Sequence, residues 1–263
     1  VKGAEYGRGA KGKMRADHLL VERGLAENRS RAQSLILAGR VLSGERRIDK
    51  SGELLSGDAP LSLKERERFV SRGGEKLEGA LAALGVEVKG AVCADVGAST
   101  GGFTDCLLQR GATRVFAIDV GHGQLAQQLR LDPRVVVLER TNARHLTRDT
   151  LGVSVDVVVV DVSFIGLATL LPALRDVLRE GGQLLALVKP QFEAGRLEVA
   201  RGKGVIRDEA VRERTVARVS KAIAEAGFEL VAEVDSVLAG PKGNRERFVL
   251  ARLTVDEPPP MSA

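Results

Sequence analysis

VCADVGASTGGFTDCLLQRGATRVFAID, residues 92–119, is the stretch from which the fold follows. Its first apolar run has the length of a strand and ends in a turn carrying Gly97, Gly101 and Gly102. A helix is expected from Gly101, and RVFAID then reads as a second strand ending in Asp119. Strand, helix, strand in that order is a βαβ unit with parallel strands. Outward from it the pattern repeats: a helix from His122, RVVVLE (134–139), VDVVVVDV (155–162), a helix through Leu178, and GGQLLALVKP (181–190). Near-continuous valine and leucine runs suit strands covered on both faces, so the expected class is α/β, a doubly wound, Rossmann-like sheet. Farther on, a helix is expected from about Asp208 to Ala226. FELVAEVDSVL and NRERFVLARL, joined by AGPKG, permit an antiparallel strand at the end of the sheet. The Gly-rich, charged stretch QFEAGRLEVARGKGV (191–205) fits a loop that orders with substrate.

A ligand is expected at the carboxyl ends of such strands. In a dinucleotide-binding GxGxxG turn the second glycine admits a pyrophosphate, and here its place is taken by Ser99, so NAD fits poorly. An adenosyl cofactor without a pyrophosphate, S-adenosylmethionine, fits better. Gly97 and Gly101 keep the turn close to its methionine part, and backbone groups around Ser99 to Thr104 can hold the amino and carboxylate ends. The candidate cofactor residues are Asp95, Gly97, Ala98, Ser99, Thr100, Gly101, Gly102, Phe103 and Thr104 in the turn. Asp119 joins them as an acceptor for both ribose hydroxyls, and Asn142 at the adenine.

Two residues close buried runs with unusual chemistry for their setting, Asp161 after VDVVVV and Lys189 before Pro190. A lysine at the end of a buried strand is costly unless paired. Beside a positive sulfonium its neutral form is favoured, which is the form that acts as a general base. Asp161 would hold and orient it. Lys76 in SRGGEKLEGAL and Glu246 in GNRERFVL complete a candidate catalytic set of alternating charge: Lys76, Asp161, Lys189, Glu246. Phe164 and Phe192 follow the two strand ends and are candidates for stacking on a flipped base, although core packing is the more common role for these two and for Phe103. His18, His122 and His145 share no metal-ligand spacing, and Cys93 and Cys106 form neither a CxxC pair nor a zinc site.

Charge is spread unevenly along the 263 residues. The chain carries a net +5, and the excess lies wholly within the first 76 residues. A basic module ahead of a near-neutral one suggests capture of a polyanion by the first and chemistry in the second; a solvated basic face is the other reading. Residues 16–24 and SRAQSLILAG read as a helix pair, the second capped by Asn28 or Ser30, and VLSGERRID reads as a hairpin turning near Gly44-Glu45. LSLKERERFV either returns to that sheet or forms a linker. Arg15, Arg29, Arg31, Arg40, Arg46 and Arg47 are the candidate RNA contacts. This segment, through Arg15, Asp17, Leu20, Gly24, Ser30-Arg31-Ala32, Leu35-Ile36, Gly39 and Val41, resembles the RNA-binding domain of the ribosomal protein S-four type. Leu20, Leu35, Ile36 and Val41 would form its small core.

The motifs SRGGEKL, DVGASTGGFTD, DVSFI, LVKPQFE and GNRERF, taken together, resemble the TlyA family of ribosomal RNA 2′-O-methyltransferases over nearly the whole chain. The resemblance implies a Lys-Asp-Lys-Glu tetrad at Lys76, Asp161, Lys189 and Glu246, with Lys189 activating a ribose 2′-hydroxyl. Asp161 and Glu246 would orient that lysine, and Lys76 would position the hydroxyl or a neighbouring phosphate. It also implies a cytidine target in ribosomal subunits and no metal. The expected domains are an N-terminal extension (1–13), the small α+β RNA-binding domain (14–68), the S-adenosylmethionine-dependent methyltransferase domain (69–256) and a tail (257–263).

Two other readings stand beside this one. A non-catalytic, RNA-binding ribosome-assembly factor would be favoured by a broken glycine turn or a missing Lys189, and neither is broken. A membrane-active toxin matters because members of the family have carried the label haemolysin. No run approaches the roughly 18 apolar residues that span a bilayer, and the N-terminus lacks the apolar segment of a secretory signal, so a soluble, cytoplasmic protein is expected.

Overall fold

The computed structural model describes residues 12–64, 68–163, 165–194 and 205–254. The expected tail, most of the N-terminal extension and of the 191–205 loop, and Phe164 lie outside these residues. The chain divides into two units, 1–67 and 68–263.

In the first unit β1 (Lys13–Arg15) leads straight into α1 (Ala16–Glu22), and Asn28 caps α2 (Arg29–Leu37) by accepting from the Arg31 amide at 2.9 Å. β2 (Val41–Ser43) turns through Gly44 into β3 (Arg46–Arg47), as the hairpin reading expects. β4 (Leu54–Ser56) pairs antiparallel with β1, while β5 (Leu61–Leu63) pairs with β2, so LSL returns to the sheet. Leu20, Leu35, Ile36 and Val41 are buried together with Ile48 and Leu55.

The second unit runs α3 (Arg72–Leu84), β6 (Val92–Val96), α4 (Gly102–Gln109), β7 (Arg114–Ile118), α5 (Gln127–Arg130), β8 (Val135–Leu138), α6 (Arg148–Leu151), β9 (Val155–Val160), α7 (Leu171–Val177), β10 (Leu178–Val188), α8 (Pro190–Glu193), α9 (Glu209–Glu225), β11 (Phe228–Asp235) and β12 (Arg247–Leu253). Its sheet has seven strands in the order β11-β12-β10-β9-β6-β7-β8. β6 to β10 pair with one another in parallel, and β12 is antiparallel to both its neighbours, β10 and β11. Alternation along the strands sorts the core into two layers. Ala94, Val96, Val158, Val160, Ala186 and Val188 belong to one cluster, whereas Cys93, Val157, Val159, Leu185 and Leu187 belong to the other. Both cysteines are buried in the second layer, and desolvation pushes the Cys93 thiol up to about 12.

Two elements differ from expectation. The helix expected from His122 begins only at Gln127: Gly123 takes a left-handed backbone, φ +72°, which a right-handed helix does not admit, and its amide donates to Glu139 at 2.8 Å. The strand expected from Gly181 begins at Leu178, directly after α7, and carries a bulge before Gln183.

Strand order and register place the site. From β6 the chain moves outward through β7 and β8, then β9 returns to the other side of β6, which opens a crevice at the carboxyl ends of β6 and β9. Val96 stands opposite Ile118 and Val160, and Val160 opposite Ala186. Gly97, Asp119 and Asp161 therefore leave the sheet side by side. Val188 stands opposite Arg247, so Lys189 leaves at the point where Glu246 enters.

Candidate active site

The crevice is a cleft of about 390 Å³ lined by Gly97, Ser99, Asp119, Asn142 and Asp161, with Ile118, Val120, Ile165 and Leu170 as its apolar walls. This lies within the roughly 300–1,000 Å³ of small-molecule sites. A larger, more open and more polar depression of about 620 Å³ lies at the opposite edge, where Ala91 and Asp156 begin their strands. The smaller one is the cleft at the carboxyl ends of the strands, where a ligand is expected. The Asp119 carboxylate accepts from the Ser99 amide at 2.8 Å and from the Gly121 amide, which fixes both oxygens while leaving each a lone pair for a hydroxyl. Ser99 takes a left-handed backbone, φ +48°, to bring its amide there. Asn142 stands at the wall with its oxygen held by the Arg144 amide at 3.1 Å.

Within the turn the three glycines serve different contacts. A Cβ on Gly97 would meet the Asp161 carbonyl oxygen at 2.5 Å, so this glycine lets the ends of β6 and β9 approach. One on Gly101 would meet Leu129 at 2.3 Å, and one on Gly102 would meet Ser71 Oγ at 2.2 Å. These two therefore pack the turn against the α5 and α3 segments. Asp95 is fully buried and accepts from the Thr104 amide (2.8 Å) and hydroxyl (2.6 Å), which ties β6 to the start of α4. Burial, opposed by those bonds, pushes its carboxyl up to about 7. Phe103 is buried with its ring 6.0 Å from that of Phe248. Asp95, Phe103 and Thr104 thus shape the turn from within the core, and Ala98 is buried beside them.

The four charged candidates form two pairs. Lys189 Nζ lies 2.5 Å from Asp161 Oδ1 at the mouth of the cleft. That oxygen has no aligned hydrogen bond; the amine donates instead to Ser163 Oγ at 3.2 Å and lies 5.8 Å from the centre of the Phe192 ring. Lys76 Nζ donates to Glu246 Oε2 at 2.6 Å, with both residues buried. The expectation that Glu246 orients Lys189 differs from what is seen: its carboxylate turns to α3 and Lys76. Sequence reasoning passed over Ser163 and Gln191, although each follows a candidate by two residues. Gln191 Nε2 donates to Glu246 Oε1 at 3.2 Å. Gly240 was also missed; a Cβ there would lie 2.1 Å from that same oxygen.

Most of the candidate RNA-contacting arginines are engaged within the first unit. Buried Asp17 accepts from Arg15 (2.9 and 3.0 Å), Arg29 (3.0 Å) and Gln33 (3.0 Å), and the Arg15 guanidinium holds its carboxyl far below the usual range. Arg46 pairs with Glu53, Arg47 with Asp49, and Arg40 donates to the Lys64 carbonyl. All six arginines keep exposed or half-exposed surfaces.

Two family models match the chain: FtsJ-like methyltransferase over residues 69–253 and S4 domain over residues 14–59. The 16S/23S rRNA (cytidine-2′-O)-methyltransferase TlyA of Mycobacterium tuberculosis is 48% identical over 244 residues, 92% of this chain and 91% of that one. Hemolysin A of Brachyspira hyodysenteriae is 40% identical over 234 residues, 89% and 97% of the two chains. Among solved structures, a Streptococcus thermophilus protein provisionally named a hemolysin superposes with a TM-score of 0.71 at 42% identity, covering 95% of this chain and 91% of that one.

Proposed function

The chain belongs to the TlyA family of ribosomal RNA 2′-O-methyltransferases, an S4 domain followed by an FtsJ-like methyltransferase domain, and on that premise we propose that it methylates a cytidine ribose of ribosomal RNA using S-adenosylmethionine. The observation that carries this reading is the Lys189–Asp161 pair at the mouth of the cleft.

The cleft has the donor set the cofactor requires. Asp119 would present its fixed carboxylate oxygens to the ribose hydroxyls, Val120, Ile165 and Leu170 would flank the adenine, and Asn142 would meet its edge. Gly97 and the backbone from Ser99 onward would border the methionine end. When bound, S-adenosylmethionine supplies an electrophilic methyl on a sulfonium. The chain's residues supply the rest. Lys189 in its neutral form would accept the 2′-hydroxyl proton as the oxygen bonds to the methyl carbon and the carbon–sulfur bond breaks, its electron pair leaving with the neutral thioether, and Asp161 and Ser163 hold the amine in place. General-base help contributes about 10²–10⁴-fold, while near-attack positioning contributes roughly 7–11 kcal/mol, so holding the ribose matters most. Lys76, paired with Glu246, stands where α3 meets that strand end and is assigned to the ribose or a flanking phosphate.

The assigned domains are residues 14–68 for RNA capture and 69–256 for transfer, and a ribosomal substrate assigns the reaction to the cytoplasm. No helix among the described residues is long and apolar enough to cross a membrane. Transfer of labelled methyl to cytidine 2′-oxygens, dependent on Lys189, tests this reading; label on a base or on protein overturns it.

A further inference from the structure

Antiparallel register makes Lys189 and Glu246 the next opposed positions beyond Val188 and Arg247. Opposed side chains on neighbouring strands start about 5 Å apart, so a lysine facing a glutamate across a strand pair is within reach of an ion pair. That pair is absent here. Lys189 turns to Asp161 on one neighbouring strand end, and Glu246 turns to Lys76 of α3. Glu246 has a second neighbour in Gln191, on the one-turn helix that follows Lys189. Its amide nitrogen donates to Glu246 Oε1, the oxygen that Lys76 does not take. Its amide oxygen is buried without a hydrogen-bond partner, so this orientation is held at the cost of an unsatisfied acceptor.

We propose that Gln191 is a positioning residue for methyl transfer: by holding Glu246 Oε1 it keeps that carboxylate with Lys76, leaving Lys189 with Asp161 as its single carboxylate partner. A lysine between two carboxylates gives up its proton less readily than one beside a single carboxylate. The other groups around Lys189 fit this division. Ser163 and the Phe192 ring are uncharged, and the Glu193 carboxylate is taken by the Leu167 amide at 2.8 Å. Asp95, near the end of β6, is buried on Thr104 and couples electrostatically to both Asp161 and Asp119.

The inference rests on the methyl-transfer reading, and its test separates the two. Single-turnover transfer of labelled methyl is followed from pH 6 to pH 9.5 in the wild type, Gln191→Leu, and Gln191→Leu combined with Glu246→Gln, with cofactor affinity checked by calorimetry. In Gln191→Leu the acidic limb moves up by about one pH unit, roughly a tenfold loss at neutral pH that recovers at high pH. Removing the charge of residue 246 returns the limb toward its wild-type position. A loss equal at every pH, or a limb unmoved by Gln191→Leu, overturns the proposal while leaving methyl transfer standing. A wild type that transfers no methyl overturns the reading beneath it, and the proposal with it.

Discussion

Lys189 Nζ and Asp161 Oδ1 lie 2.5 Å apart because Asp161 follows the last residue of β9 and Lys189 the last residue of its parallel neighbour β10, which runs two residues farther so that the lysine reaches back to the carboxylate. A cation and an anion so placed outside a buried sheet face the same cleft, and their separation is set by the spacing of β9 and β10 rather than by flexible loops. Lys189→Ala lowers the turnover by about 10²–10⁴-fold, and Asp161→Asn lowers it by less. Isothermal titration shows S-adenosylmethionine still binding to Lys189→Ala.

Lys76 and Glu246 form the buried pair of the site. Glu246→Ala leaves an unpaired buried ammonium and destabilises the second unit by about 3–5 kcal/mol. Replacing both, with Lys76→Met and Glu246→Leu, recovers most of that stability, since the desolvation of two ions no longer opposes folding. Activity does not recover with it. Urea titration and methyl transfer on the same preparations separate the two effects.

Asp119 carries the cofactor prediction. Asp119→Ala removes the acceptor for the ribose hydroxyls and also frees the Ser99 and Gly121 amides. Hydrogen bonds to a charged group are worth about 1.5–3 kcal/mol, so the Kd for S-adenosylmethionine rises roughly 10- to 100-fold. Calorimetry measures it, and turnover at saturating cofactor falls far less than in Lys189→Ala.

Asp17 makes the first unit sensitive to acid. Its carboxyl titrates well below the ordinary value because Arg15, Gln33 and Arg29 bond to its charged form, Arg15 foremost. The stability it confers is therefore complete above the ordinary carboxylate pKa of about 3.9 and is lost as pH falls toward the lower folded value. Hydrogen exchange of the full chain shows protection of the α1 and α2 amides declining below pH 4. In Asp17→Asn protection is already low at pH 6 and changes little with acid.

The βαβ unit, the strand ends and the helix 209–225 were legible because apolar runs, glycine turns and a capping Asp208 are local signals. The four charges were legible as a set for the same reason, since each stands beside a strand end or a motif. Which carboxylate meets which lysine was not, because that depends on the β10–β12 register and on how α3 packs. Gly101 and Gly102 read as cofactor glycines, yet their missing side chains make room for Leu129 and Ser71. The arginines of the first unit read as free cations, while Asp17, Glu53 and Asp49, scattered along the segment, engage four of them. Gln191 carried no signal beyond its distance from Lys189, since an amide becomes informative only once its partner is known.

The central claim is that Lys189 drives methyl transfer to a ribose. The most direct measurement incubates tritiated S-adenosylmethionine with unmodified ribosomal subunits and either the wild type or Lys189→Ala, then digests the RNA to nucleosides. The account predicts label in 2′-O-methylcytidine with the wild type and almost none with the variant. Equal label from both proteins, or label confined to a nucleobase, would contradict it.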